Sequence, residues 1–310
     1  MNKPWNESGE TFPAAIESTY GMIGPEERRC FYWLARQNGG AGCIVDAGSF
    51  LGASTVCFAA GADAAGRRAF GGKPIIHAYD YFKAYDDYVA EAIRKNVRPI
   101  EKGQSYLDIF MTHTAKYRAM IEVHPGNFID HRWHGDPVEL LFIDVAKRPR
   151  LNCHIATEFF PHLLPGRSIV IHQDYMHCWH PYIHIGMEYL DESFELVDEW
   201  VPHQSRVWRL ARPFDKAKLA RVQQDDFTAA ERIALLDRLI AKSSPACRPM
   251  MEMVRVWQLC IDQNYDAAHA GIVRLKASQP APESGTLWSK QMGQIENIIA
   301  QKTAAGNVAS

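Results

Sequence analysis

The chain has 310 residues, with 34 Lys or Arg against 36 Asp or Glu, so its formal net charge is −2 with histidine neutral. This length suits one large domain with an appendage, or two domains. The near-neutral balance, without a long Lys/Arg run, argues against a nucleic-acid partner. No apolar stretch approaches the roughly 20 residues that span a membrane, and the first residues lack the pattern of a secretory signal. We therefore expect a cytoplasmic protein.

From residue 43 onward, short apolar segments alternate with amphipathic stretches, which is typical of a parallel sheet with crossover helices. Near-continuous apolar strands indicate a sheet covered on both faces. Two further strand-like segments, 194–200 and 205–210, are joined by only four residues, which predicts an antiparallel hairpin. The expected fold is therefore α/β, a doubly wound and mostly parallel sheet that ends in a hairpin. The predicted parallel strands are 43–47, 75–80, 119–123, 139–144 and 168–172.

Helical patterns flank this sheet region on both sides. Residues 1–42 predict a helical cap, whose main helix begins at Pro25 because proline suits the first position of a helix. After residue 212 the strand pattern stops, and apolar residues recur at helical spacing. The chain is therefore divided into a domain over residues 1–212 and a helical extension over 213–310. We expect the apolar faces of the extension to pack against the core or a second subunit.

The segment that follows the first strand carries a ligand-binding pattern. A turn with Asp46, Gly48 and Gly52 leads into a helix that opens near Ser54 and Thr55. Glycines let such a turn bend sharply and let a ligand approach the backbone. The N–H groups at the start of a helix favour an anionic group. The pattern therefore predicts a nucleotide-type site at the carboxyl end of the first strand.

The order of these features resembles class I S-adenosylmethionine-dependent methyltransferases. Asp-x-Gly-x-x-x-Gly runs from Asp46 to Gly52, the next predicted strand ends in Asp80, and His-Pro-Gly-Asn-Phe at 124–128 follows the third strand. The resemblance covers about residues 20 to 210. It implies a Rossmann-like methyltransferase fold with S-adenosylmethionine as the cofactor.

The resemblance also implies which residues hold the cofactor. Asp80 is placed to accept hydrogen bonds from the two ribose hydroxyls, as an acid does after the second strand of dinucleotide folds. The loop with Gly126 and Asn127 is expected near the adenine. Tyr81 and Phe82 are expected to stack there, with core packing as the alternative for both rings. The complete expected set is Asp46, Gly48, Ser49, Gly52, Ser54, Thr55, Asp80, Tyr81, Phe82, Gly126, Asn127 and Asp144.

Acidic residues after the fourth and fifth strands resemble those of the catechol and caffeoyl-coenzyme A O-methyltransferases, with the macrocin-type sugar enzymes as a second comparison. This resemblance implies that Asp144 and Asp174 are ligands of a divalent metal such as Mg²⁺, and that Lys147 is the base that acts on the acceptor hydroxyl. Tyr175 stands where the first group has Asn. In the alternative interpretation, the two acids orient the acceptor through hydrogen bonds and Lys147 is paired with one of them.

Histidines close behind Asp174 offer another base. An imidazole can take a proton near neutral pH, so His177 or His180 is an alternative base or acceptor contact. Together with His184 these histidines could also bind a metal or be ordinary loop residues, and Pro181 would break or begin a helix among them. The expected catalytic residues are Lys147, Asp174, His177 and His180.

The function expected from this pattern is methyl transfer from S-adenosylmethionine to a hydroxyl of a small molecule, such as a sugar-bearing or phenolic metabolite. An NAD-type oxidoreductase is the alternative enzyme, disfavoured because Gly48-x-x-x-Gly52 lacks the third glycine of Gly-x-Gly-x-x-Gly. A binding protein that keeps the cofactor fold without catalysis is the alternative outside enzymes. No nucleic-acid or membrane partner is expected, and the C-terminal helices could join copies of the chain into a homo-oligomer.

Overall fold

The computed structural model describes residues 3–7, 11–278 and 286–308. Contacts divide the chain into two compact units, and the predicted boundary after residue 212 lies next to one of the divisions between them. The second unit also takes in two earlier segments that the sequence assigned to the first domain. The first unit is Met1–Lys147, His154–Gln173 and Ser193–Pro213, and the second is Arg148–Cys153, Asp174–Glu192 and Phe214–Ser310. Among the described residues, every helix is too short or too polar to cross a membrane.

The strands are β1 (Cys43–Ala47), β2 (Ala69–Phe70), β3 (Lys73–Pro74), β4 (Ile76–Asp80), β5 (Ile121–Pro125), β6 (Val138–Ile143), β7 (Ile169–His172), β8 (Phe194–Val201) and β9 (Ser205–Leu210). The α-helices are α1 (Ala14–Ser18), α2 (Pro25–Gln37), α3 (Ala53–Ala64), α4 (Asp87–Asn96), α5 (Leu107–His113), α6 (Pro149–Glu158), α7 (Pro181–Tyr189), α8 (Lys216–Gln224), α9 (Ala229–Lys242), α10 (Arg248–Ile261), α11 (Tyr265–Ser278) and α12 (Leu287–Val308). Short 3₁₀ helices lie at Pro4–Asn6, Ala115–Met120, Phe128–Asp130, Phe160–His162, Gln173–Met176 and Asp191–Ser193.

The first unit contains a sheet of seven strands in the order β5-β4-β1-β6-β7-β9-β8. The five neighbouring strands β5, β4, β1, β6 and β7 pair in parallel, and β9 is antiparallel to both β7 and β8. This confirms the predicted fold class, a mostly parallel sheet that ends in an antiparallel hairpin. The two-residue strands β2 and β3 form a separate small hairpin, which the sequence analysis did not predict.

The core of the first unit lies where α2 and α3 cover the sheet. Helix α3 is buried along most of its length, and Gly61 lets α2 approach closely, since a Cβ there would lie 2.3 Å from the carbonyl oxygen of Tyr32. The rings of Phe31, Phe58 and Phe142 contact one another with centroids 4.9–5.7 Å apart. This packing fixes the start of α3, and with it the turn that follows β1.

Helix α2 begins at Pro25, as predicted, and a buried carboxylate ties it to the terminal hairpin. Glu27 accepts a hydrogen bond from the backbone N–H of Gly24 at 2.8 Å, which caps the helix. Its other oxygen accepts from the hydroxyl of Ser205 at 2.5 Å and from the N–H of Gln204 at 3.2 Å. The carboxylate thereby joins the N-terminal helical region to the turn between β8 and β9.

The second unit is built mainly from helices. Helix α9 begins with the predicted capping box, in which the N–H of Glu231 donates to the Thr228 hydroxyl and the Glu231 carboxylate accepts from the Thr228 N–H. Helix α7 packs against α9 and α10, and α10 packs against α11 and α12. Leu236 and Met253 are fully buried, so the apolar faces of the extension do form a core. A homo-oligomer through these helices stays a prediction.

Candidate functional site

The turn between β1 and α3 needs glycine at two positions. Gly48 has φ +107° and Gly52 has φ +95°, a backbone region that other residues rarely adopt. The N–H of Gly48 donates to the carbonyl of Tyr79 at 2.9 Å. A Cβ on Gly48 would lie 2.9 Å from the Cβ of Asp144. The turn therefore brings the end of β1 against the end of β4 and against the residue that follows β6.

Asp46 lies behind this turn and is fully buried. Its carboxylate accepts hydrogen bonds from the hydroxyls of Ser54 at 3.0 Å and Thr55 at 2.5 Å. Burial raises the pKa of Asp46 to about 7, although both hydrogen bonds oppose the shift. Both hydroxyls come from the first turn of α3, so Asp46 bonds the protein itself on this side. No side chain caps that helix, so its first backbone N–H groups remain the expected ligand contacts there.

Replacing Asp46 with Asn is expected to make stability less dependent on pH. Because the pKa is raised from 3.8 to about 7, the folded chain holds this proton more tightly than the unfolded chain. The contribution of Asp46 to stability is therefore fully present below about pH 3.8 and is lost as the pH rises through about 7. Relative to Asp46→Asn, the wild type should lose on the order of 4 kcal/mol of unfolding free energy across this interval.

Urea denaturation at several pH values between 4 and 8 measures this difference. Asp266→Asn, at an exposed position of α11, controls for the loss of a carboxylate as such. Parallel pH profiles of the wild type and Asp46→Asn would contradict the prediction.

Asp80, at the end of β4, holds two loops in unusual conformations. One carboxylate oxygen accepts from the N–H of Phe50 at 2.9 Å, and the other accepts from the N–H of Phe82 at 2.8 Å and the hydroxyl of Tyr106 at 2.6 Å. Phe50 and Phe82 both have positive φ, +45° and +50°, which is strained for residues other than glycine. Burial raises the pKa of Asp80, and these hydrogen bonds act against that rise. Asp80 therefore ties the turn after β1 and the segment after β4 to the end of β4.

The two rings after Asp80 have different surroundings. The ring of Phe82 is buried against Phe110 and Tyr106, with centroids 4.9 and 6.0 Å away. For Phe82 the alternative of core packing therefore describes the structure, and stacking on a ligand does not. Tyr81 is 45% exposed and remains a candidate for the stacking role.

The loop after β5 reaches the end of β4. Gly126 has φ +126°, and its N–H donates to the carbonyl of Asp80 at 3.0 Å. Asn127 follows at an exposed position, immediately before the 3₁₀ helix Phe128–Asp130. The structure thus brings Gly126 and Asp80 together across 46 residues of sequence.

A small, solvent-open cleft of about 50 Å³ lies at this end of the sheet. The predicted cofactor residues Gly48, Ser49, Ser54 and Asp144 are in its wall. Phe50 also lines the cleft, although no ligand-binding pattern in the sequence marks it, and so does the segment from Gly21 to Ile23. The full lining is Gly21, Met22, Ile23, Gly48, Ser49, Phe50, Ala53, Ser54 and Asp144.

Asp144 and Lys147 form an ion pair beside this cleft. The Lys147 Nζ donates to the Asp144 Oδ1 at 2.6 Å, and the N–H of Asp144 donates to the carbonyl of Ala47 at 2.7 Å. Lys147 is 42% exposed in its side chain and Asp144 is 23% exposed. This contact is the pairing of Lys147 with one of the two acids, which was the alternative to metal binding by Asp144.

Asp144 and Asp174, the expected Mg²⁺ ligands, belong to different units, and their metal-binding role stays a prediction. Mg²⁺ demands near-octahedral oxygen ligands, whereas Asp144 already bonds the ammonium of Lys147. Tyr175, in the position where the resembled enzymes have Asn, is buried and its ring lies 4.3 Å from that of His184. Asp174 belongs to the second unit, where it is also buried. Its predicted role stays a prediction.

Helix α7 begins at Pro181, so His177 and His180 precede the helix. The Nδ1 of His177 accepts from the side-chain amide of Gln291 at 2.7 Å, and the Nδ1 of His180 lies 2.9 Å from the hydroxyl of Tyr182. These contacts orient both rings, and the roles of His177 and His180 stay predictions.

His184 does not fit the possible metal site of three histidines. It is fully buried, and its two nitrogens lie 2.7 Å from the carbonyl oxygen of Tyr175 and 3.1 Å from that of His180. Since both ring nitrogens are engaged by backbone carbonyls, His184 has a structural role in the start of α7.

Residues 45–174 match a family model described as a methyltransferase domain. No protein of curated function matches the sequence. Solved structures similar to this chain include the O-methyltransferase NovP, with a TM-score of 0.49 and 18% identity over 62% of this chain and 82% of that one. An O-methyltransferase from Bacillus cereus in complex with SAH has a TM-score of 0.36 and 15% identity over 59% and 72% of the two chains. Cofactor-bound Rv0187 from MTB has a TM-score of 0.39 and 14% identity over 64% and 87%.

Proposed function

We propose that the chain, whose residues 45–174 match a methyltransferase-domain model, transfers a methyl group from S-adenosylmethionine to a hydroxyl of a small-molecule acceptor. The cleft at the ends of the strands, with the glycine turn on one wall and Asp144 on another, supports the place of the reaction. The position of Asp80 at the end of β4, where its carbonyl bonds the loop that follows β5, supports binding of the ribose hydroxyls.

The observation that carries the proposal is the Asp144–Lys147 pair beside the cleft. Bound S-adenosylmethionine supplies the methyl group as part of a sulfonium. Lys147, after its own proton has passed to solvent, holds the acceptor hydroxyl by a hydrogen bond and takes its proton as the oxygen–methyl bond forms and the carbon–sulfur bond breaks. The Asp144 carboxylate, 2.6 Å from Nζ, stabilises the ammonium that results. No step of this proposal requires Mg²⁺.

Exposed aromatic residues near this pair support a ring-bearing acceptor. Tyr81 and Tyr85 are 45% and 57% exposed. Burial and the charge of Asp86 raise the pKa of Tyr85, and the charges of Lys147 and Asp144 also act on it, which indicates that its phenol lies in their vicinity. Aromatic side chains bind planar rings and the apolar faces of sugars by stacking. The sequence analysis missed Tyr85 because no motif includes it.

Calorimetric titration with S-adenosylhomocysteine and with NAD⁺ tests the proposal at the level of the cofactor. We expect one molecule of S-adenosylhomocysteine to bind per chain and NAD⁺ not to bind. A panel of phenolic and sugar hydroxyl compounds, scored by release of S-adenosylhomocysteine, then tests the reaction. Preferential binding of NAD⁺ would overturn the proposal in favour of an oxidoreductase. Tight S-adenosylhomocysteine binding without turnover of any acceptor would favour a binding protein.

A further inference from the structure

A cluster of potential metal ligands lies at the edge of the sheet, outside the cleft. The edge strand β5 pairs in parallel with β4, so that His77 lies opposite Glu122 and Tyr79 lies opposite His124. Because successive side chains of a strand point to opposite faces, His77, Glu122 and His124 project from the same face. None of the three lines the cleft described above.

The distances within this cluster are close to those of a metal site. His77 Nδ1 lies 3.1 Å from His124 Nε2, and the Glu122 carboxylate lies 3.8 Å from the first nitrogen and 3.9 Å from the second. Two zinc–nitrogen bonds of about 2.05 Å at a tetrahedral angle separate their nitrogens by about 3.3 Å. The two imidazoles therefore have nearly the required spacing. Glu122 is 47% exposed and has to close by only about half an ångström.

The surrounding rings hold the two imidazoles in place. His124 stacks on Tyr79 with centroids 4.2 Å apart and planes 10° from parallel. His77 packs against the edge of Trp133 at 4.9 Å.

We propose that His77, Glu122 and His124 bind a divalent transition-metal ion, with Zn²⁺ the first candidate and water completing the coordination on the exposed side. Two imidazoles with one carboxylate form a ligand set suited to zinc and neighbouring metals, whereas Mg²⁺ and Ca²⁺ take oxygen ligands. A hydrogen bond between the two rings also accounts for their 3.1 Å separation, but the approach of Glu122 to both nitrogens favours the ion.

Bound metal at this site links the edge strand β5 to β4. Gly126, whose N–H bonds the carbonyl of Asp80, follows His124 by two residues. The ion therefore also restrains the beginning of the loop that is expected to hold the cofactor. This site is separate from the Asp144–Lys147 pair, and it does not depend on the proposed reaction.

Calorimetric titration of EDTA-treated, dialysed full-length protein with ZnCl₂ and MgCl₂ tests the site. We expect one Zn²⁺ per chain with a Kd in the micromolar range or tighter, and no binding of Mg²⁺. Glu122→Gln should lower the affinity at least tenfold and His124→Ala at least 100-fold. His269→Ala, which removes an exposed histidine of α11, should leave it unchanged. Zn²⁺ should also raise the Tm of the wild type but not that of His124→Ala.

Absence of stoichiometric Zn²⁺ binding by the wild type would overturn the proposal, as would equal affinity in Glu122→Gln, His124→Ala and the wild type. Circular dichroism establishes first that the variants are folded. If His124→Ala does not fold, two measurements decide. These are the affinity of Glu122→Gln, whose side chain is half exposed, and the visible absorption of the Co²⁺-loaded wild type, which reports four-coordinate binding by nitrogen and oxygen.

Discussion

Lys147→Ala is expected to lower kcat by roughly 10²–10⁴-fold, the usual effect of removing a positioned base. The affinity for S-adenosylhomocysteine should change little, because the predicted cofactor contacts lie on the glycine turn and at Asp80. Lys147→Arg should be nearly as inactive, since a guanidinium keeps the positive charge beside Asp144 but cannot lose its proton at neutral pH. Steady-state kinetics with an accepted hydroxyl compound, together with calorimetry, separates the two effects.

Lys95→Ala is the matched control for this experiment. Lys95 pairs with Glu91 one turn earlier on α4, so its loss removes an exposed lysine without touching the cleft. Activity in the presence of EDTA tests whether the reaction needs a metal ion. We expect EDTA to leave the activity unchanged. Activity that EDTA abolishes and Mg²⁺ restores, with Asp144→Asn and Asp174→Asn both inactive, would return those carboxylates to the role of metal ligands.

Asp80→Ala is expected to weaken S-adenosylhomocysteine binding by about 100-fold or more. Hydrogen bonds to a charged group contribute about 1.5–3 kcal/mol each, and two ribose hydroxyls would lose theirs. The substitution also releases the backbone N–H groups of Phe50 and Phe82, whose positive φ angles are then no longer held by the carboxylate. Both effects reduce affinity, the first by lost contacts and the second by loss of the bound geometry.

Two further variants distinguish these causes. Asp80→Asn keeps the size of the side chain but places an NH₂ group where one carboxylate oxygen accepted hydrogen bonds, so it should lose nearly as much affinity as Asp80→Ala. Tyr106→Phe removes one hydrogen bond to Asp80 and leaves the carboxylate free to bind ribose, so its affinity should fall less than tenfold. Wild-type affinity in Asp80→Ala, with an unchanged Tm, would remove Asp80 from the binding site.

The sequence by itself determined the elements whose causes are local. Apolar segments of strand length, a proline at the first turn of α2 and the Thr228–Glu231 box specify their conformations through neighbouring residues only, and the structure has each of them. The four residues between the predicted strands 194–200 and 205–210 are too few for a crossover, which forced the hairpin. Gly48 and Gly52 likewise mark the turn after β1 locally, because few other residues adopt its positive φ angles.

Which of these residues are left open to a ligand depends on the tertiary packing. The carboxylate of Asp46 and the hydroxyls of Ser54 and Thr55 all belong to the predicted motif, yet they bond one another because the first turn of α3 folds back over the end of β1. Phe82 and Tyr81 are adjacent, and packing against Phe110 buries only the first.

The cluster of His77, Glu122 and His124 could not be predicted from spacing either. It joins residues more than 40 positions apart, and it depends on the register between β4 and β5. A slip of one residue would turn the side chains of one strand to the opposite face. Periodicity and local motifs carry information about neighbours along the chain, while strand register is fixed by the packing of the whole sheet. The sequence therefore determined the elements and the turn that bears the site, and the packed sheet determined the contacts made there.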